Sequence, residues 1–205
     1  REHRCISMTA MITTPWQVTS PTGHRVEGET LTPANQPTPS RAVVLVHGLT
    51  GSRHEHIHQF AGDFLIKRGY AVLRFNLQNQ NFRLRDCTIQ THADDLSAVL
   101  KAQAAAYDKL FVVGHSYGGP TVMAAQPSQA AAICLWDPSF DLPLLWESMA
   151  VEPLPGGIGL MNIGGIEEVI GDAMVAEGHG PQFAAEACLA LSGSLDRPIQ
   201  VISAS

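Results

Sequence analysis

The chain has 205 residues, 45% of them hydrophobic and 16% charged, which is enough apolar material for one folded domain with a sizeable core and the wrong balance for a disordered chain. Its formal net charge is −6 with no basic block, which argues against nucleic acid and anionic membrane surfaces as partners. The opening REHRCISMTAMITTP lacks the apolar centre of a secretory signal, and no apolar run in the sequence reaches the roughly 18 residues of a membrane span.

In chain order, residues 1–15 read as a disordered or non-native segment, and a domain is expected over 16–205. WQVTS (16–20) and HRVEGETL (24–31) flank Pro21-Thr22-Gly23 and predict an antiparallel hairpin. A Pro/Thr/Asn-rich linker follows over 32–40. AVVLVH (42–47) is a continuous apolar run, as in a strand covered on both faces. Residues 56–68 carry Ile57, Phe60, Ala61, Phe64 and Leu65 at helical spacing. AVLRF (71–75) predicts a strand, 93–107 a helix, LFVVG (110–114) a strand, and Thr121 to Ala125 the start of another helix. AAICLW (131–136) and PIQVIS (198–203) complete the strands, and the stretch 138–197 between them breaks the rhythm. It is read as a helical insertion over the C-terminal edge of the sheet. Strands alternating with helices imply an α/β fold with a mostly parallel sheet and helices on both faces. The first residue is Arg1 rather than Met, and RPIQVISAS reads as a strand with nothing after it. The expectation is therefore a fragment, truncated after its seventh strand.

GHSYG (114–118) fits G-x-S-x-G after a buried strand and before a helix. A turn this sharp projects the serine oxygen outward and leaves no room for side chains two positions either side. Ser116 is therefore the candidate catalytic nucleophile. The loop HGLTGS (47–52) ends another strand, and the backbone amides of Leu49 and Tyr117 are the candidate oxyanion donors. His54-Glu55-His56-Ile57-His58 also matches the zinc-protease pattern H-E-x-x-H. Ser52 and Glu55 form S-x-x-E, so Glu55 is expected to cap a helix instead, and neither a metal nor another cofactor is assigned.

The segments HGLTGS, AVLRFN and GHSYGG together resemble the α/β-hydrolase superfamily, in its serine-hydrolase branch of cinnamoyl/feruloyl esterases and monoacylglycerol-lipase-like enzymes. The resemblance runs over 18–205 and is strongest over 43–122. It implies that Ser116 attacks an acyl carbonyl, that amides at Leu49 and Tyr117 hold the oxyanion, and that the insertion is a lid. The sequence departs from the family at NLQNQN (76–81), where a glycine-containing loop is usual. The family's acid and histidine normally follow its seventh and eighth strands, so both are expected beyond Ser205.

Within the chain, Asp137 directly follows a strand and is the candidate acid, with Asp141 weaker. Among the histidines, His115 is expected to point away from the turn, His47 to support the oxyanion loop, His92 to cap or begin a surface helix, and His179 to lie in the insertion, as a solvated loop residue or a base swung over the site. Trp136, Leu144, Leu145, Trp146, Met149, Leu154 and Met161 either line an acyl pocket or fasten the insertion to the sheet. The expected reaction is hydrolysis of a small-molecule ester with a small or medium apolar acyl group. Thioesterase or amidase chemistry and a non-catalytic binding protein of the same fold are the alternatives. Widely spaced Cys5, Cys87, Cys134 and Cys188 point to reduced thiols and a cytoplasmic setting.

Overall fold

The computed structural model describes residues 10–78, 84–149, 151–156, 158–163 and 165–203. A seven-stranded sheet forms its centre. The strands are β1 (Met11–Thr19), β2 (Arg25–Pro33), β3 (Arg41–Val46), β4 (Ala71–Phe75), β5 (Lys109–His115), β6 (Ala130–Trp136) and β10 (Ile199–Ile202), in the spatial order β1-β2-β4-β3-β5-β6-β10. β1 and β2 form the expected antiparallel hairpin, and β2 pairs antiparallel with β4. The remaining neighbours are parallel. β1 begins at Met11 rather than at the expected domain start, Trp16, because 11–15 continue the ladder against 29–33. Residues 1–9 lie outside the described residues.

The apolar runs form central strands because both of their faces are covered. Along β3, Val44 and Val46 join Leu73, Val112, Ile133 and Leu135 on one side, under α2 (Ile89–Gln103) and α3 (Gly118–Ala125). Val43 and Leu45 join Val72 and Val113 on the other, where α1 (His56–Ile66) packs through Ile66 and Leu65. From β3 the chain crosses to β4 on one side and returns to β5 on the other. A crevice opens where a parallel sheet reverses its winding in this way, beyond the carboxyl ends of the two strands concerned. Those are β3 and β5, whose last paired residues are Val46 and Gly114.

The stretch between β6 and β10 is not the helical insertion expected. It holds α4 (Leu142–Ser148), a three-stranded antiparallel sheet of β7 (Glu152–Leu154), β8 (Ile158–Ile163) and β9 (Ile166–Ile170), then α5 (Asp172–His179) and α6 (Ala185–Gly193). The correction has a local cause. Ile163 pairs with Ile166 across Gly164-Gly165, a two-residue connection that favours a hairpin over a helix. The insertion has a core of its own, in which Trp146, Met161, Ile170, Met174 and Cys188 pack with Leu84, Ile89 and Tyr117 of the main domain. No helix among the described residues is long and apolar enough to cross a membrane.

Candidate active site

β5 ends at His115 and α3 begins at Gly118, so the chain reverses within two residues. Ser116 takes φ 52, in the left-handed region that residues other than glycine, Asn and Asp rarely adopt. The turn holds it there by main-chain bonds: its N–H donates to Trp136 O at 3.0 Å, and its carbonyl accepts from Gly119 N at 2.9 Å and Ser139 N at 3.0 Å. The flanking glycines are steric requirements. A Cβ at Gly114 would stand 2.5 Å from Gly118 O, and one at Gly118 would stand 2.6 Å from Val46 O. Pro120 sits in the first turn of α3, where its missing N–H costs nothing.

The loop after β3 lies against this turn. A Cβ placed at Gly48 would be 3.2 Å from Ser116 Cβ and 3.6 Å from Ser116 Oγ. Leu49 and Thr50 follow, Thr50 with φ 60 and its hydroxyl donating to Leu49 O at 2.6 Å. His47 holds the loop as expected, and the bonds fix its tautomer. Gly48 O can only accept, so Nδ1 carries the proton at 2.8 Å, and Nε2 accepts from Leu77 N–H at 3.0 Å. Burial lowers the His47 pKa, which keeps that neutral form. The glycine-free segment after β4 is therefore tied down by side chains. Leu77 is held by His47, Gln78 N–H donates to buried Asp95 at 3.0 Å, and Asn76 Oδ1 accepts from Arg53 N–H. Residues 79–81 of that departure lie outside the described residues.

Ser116 is partly exposed, and its Oγ lies 3.1 Å from Ser139 Oγ. Among the described residues no histidine hydrogen-bonds Ser116 Oγ. His115 turns toward α1, its Nδ1 3.7 Å from Glu55 Oε2 and its ring 6.4 Å from that of His58. Burial alone would raise the Glu55 pKa, but His115 beside it and the fields of His47 and His58 bring it down on balance. Glu55 therefore faces the histidines and does not cap α1. It occupies the N-cap position with no side-chain capping bond, which corrects the expected Ser52–Glu55 box. The H-E-x-x-H pattern comes apart for the same reason. His54 precedes α1 and its Nε2 accepts from Arg53, while His58 is buried inside. Among the described residues no three His, Cys, Asp or Glu side chains gather to hold a metal. His92 does not begin a surface helix: α2 starts earlier, at Ile89, and His92 is buried edge-on to Tyr117. His179 is exposed at the end of α5, and Asp137 is exposed after β6 with φ 44.

The model of the alpha/beta hydrolase family matches residues 43–199, from β3 to the start of β10. The chain belongs to the alpha/beta hydrolase family. No curated protein sequence matches it. Among solved structures it is similar to Est1E of Butyrivibrio proteoclasticus with bound ferulic acid, at TM-score 0.68 and 16% identity, covering 91% of this chain and 88% of that one. It is also similar to the esterase domain of a Rhodothermus marinus protein, at TM-score 0.65 and 21% identity over 93% of this chain and 75% of that one. The Pyrococcus furiosus esterase Pf2001 gives TM-score 0.65 and 17% identity over 93% and 69%. At these identities the likeness is one of fold.

In this alpha/beta hydrolase the insertion grips the residue after the serine. The Tyr117 ring stacks on Trp146 with centroids 6.2 Å apart, and its hydroxyl donates to Glu177 at 3.4 Å. Glu177 also accepts from Ile89 N–H at 2.7 Å and Gln90 N–H at 3.4 Å, the first amides of α2. Of the apolar residues considered for a pocket, Trp146 and Met161 are fully buried in this core, and Leu144 is 61% exposed. Trp136 packs on the opposite side, with Val43, Leu45 and Val113. Trp146 and Met161 fasten the insertion to the domain. Sequence reasoning missed Ser139 and Glu177. No motif marks the first, and the second lies in the insertion with no motif around it.

Proposed function

We propose that this chain is a serine hydrolase, a carboxylesterase that cleaves esters of small or medium apolar acyl groups through an acyl-enzyme on Ser116. The observation that carries the reading is Ser116 itself, held at φ 52 on a strand-to-helix turn with its Oγ beside the Gly48 loop. In this reading Ser116 Oγ gives its proton to a general base and bonds to the acyl carbon. The amides of Leu49 and Tyr117 receive the negative oxygen, the alcohol leaves with a proton, and water then releases the acid. Asp137, at the end of β6, is the candidate acid. In this reading the insertion, anchored by Trp146 against Tyr117, roofs the site. The free thiols Cys87, Cys134 and Cys188 fit a reducing, cytoplasmic setting. The small-ester assignment draws support from the esterases among the structures of similar fold.

The test is hydrolysis of a p-nitrophenyl ester series from acetate to decanoate, alongside the matching thioesters and anilides. The reading predicts a preference for esters of the shorter acids and a loss of at least about a thousandfold in kcat/KM for Ser116→Ala. The Ser139 contact favours a second reading, a binding protein that keeps the fold without catalysis, since Ser116 Oγ bonds another hydroxyl and no described imidazole. Binding of an ester that the protein leaves intact would support it.

A further inference from the structure

We propose that Ser139 is a catalytic residue of this site, its hydroxyl donating the hydrogen bond that fixes Ser116 Oγ and stabilises it as the Ser116 proton departs. The inference rests on the reading of Ser116 as the nucleophile. Ser139 lies in the loop between β6 and α4, and that loop is tied to the turn at three points. Pro138 packs on Gly119 so closely that a Cβ there would stand 2.5 Å from Pro138 Cβ. Ser139 N–H donates to Ser116 O at 3.0 Å, and the two hydroxyl oxygens are 3.1 Å apart. The loop is bracketed by Asp137 and Asp141, with φ of 44 and 67, left-handed conformations that non-glycine residues hold at a cost. A segment so constrained keeps its hydroxyl in register with both the main chain and the side chain of Ser116.

The direction of the bond follows from the hydroxyl inventory. Each serine has one hydrogen to give and two lone pairs to accept with. Ser116 must aim its hydrogen at the base if it is to attack, so the bond between the pair runs from Ser139 to Ser116 Oγ. One Ser116 lone pair is then held and the other is left for the acyl carbon. As Oγ takes on negative charge the bond becomes charge-assisted and shortens, so it favours the transition state over the resting enzyme. The new bond is Oγ to acyl carbon, the bond broken is acyl carbon to alcohol oxygen, and the Ser116 proton passes through the base to the alcohol. Ser139 keeps its own proton throughout.

The test is the second-order rate of labelling by a fluorophosphonate, which reports nucleophile reactivity without deacylation, measured on the full chain together with thermal midpoints. The wild type labels at Ser116, Ser139→Ala labels about tenfold more slowly, Ser139→Thr returns most of the rate, and all three melt alike. Ser139→Ala labelling as fast as the wild type, or faster, makes Ser139 a mere occupant of the base's place and overturns the proposal. So does Ser139→Thr labelling as slowly as Ser139→Ala, which assigns the effect to packing. A folded wild type that does not label overturns the nucleophile reading and this proposal with it.

Discussion

His92 is buried beside Tyr117, and neither ring nitrogen has a protein partner among the described residues. Burial first, then the fields of His47 and His24, push its pKa from 6.5 down to about 3. The unfolded chain takes a proton on this ring below pH 6.5 and the folded chain does not until about pH 3. The stability is therefore intact above pH 6.5 and is lost as pH falls through that window, at about 1.4 kcal/mol per unit. His58, lowered by burial to about 4, adds to the same acid limb. His92→Phe keeps the edge-on contact with Tyr117 and removes the titration. Urea unfolding at pH 7 and pH 5 should show the wild type losing about 2 kcal/mol more than this variant between the two. An equal loss in both would remove His92 from the acid limb. The burial of His92 was encoded in Thr88 and Thr91, whose hydroxyls and amides cap each other and start α2 at Ile89. The Ala-rich helical spacing in the sequence starts only at Ala93, which leaves His92 outside it.

At the scale of elements, Glu177 joins α5 to the start of α2 and to the turn after β5. The first four amides of a helix lack partners within it, and those of α2 are all accounted for. Thr88 donates to the Thr91 hydroxyl, Ile89 and Gln90 donate to Glu177, and Thr91 donates to the Thr88 hydroxyl. Glu177→Ala strands two amides and the Tyr117 hydroxyl. It should lower the unfolding free energy by about 2–3 kcal/mol, with Glu177→Gln losing less. A loss under about 0.5 kcal/mol in the Ala variant, at unchanged denaturant slope, would mean that water serves these donors as well. The secondary structure of the insertion was only half legible. Gly164-Gly165 between apolar runs marks a hairpin, but Glu167 and Glu168 interrupt the alternation that identifies a strand. The ties of Glu177 and Ser139 join partners distant in the chain, and periodicity carries no information about such pairs.

Over the whole molecule, the central sheet was the most legible part, because unbroken apolar runs such as AVVLV have few alternatives to a strand covered on both faces. The sharp turn at Ser116 was legible too, since only glycine fits at 114 and 118 against Gly118 O and Val46 O. Fold and turn meet where the winding reverses between β3 and β5, and membership of the alpha/beta hydrolase family agrees with that placement. The proposed function depends on the chemistry of one oxygen there. Its most direct test is intact-mass and peptide mapping of the folded protein after exposure to a fluorophosphonate. The expected result is a single phosphonyl group on Ser116 and none on the Ser116→Ala protein. An unmodified wild type, or equal modification of both proteins, would contradict it.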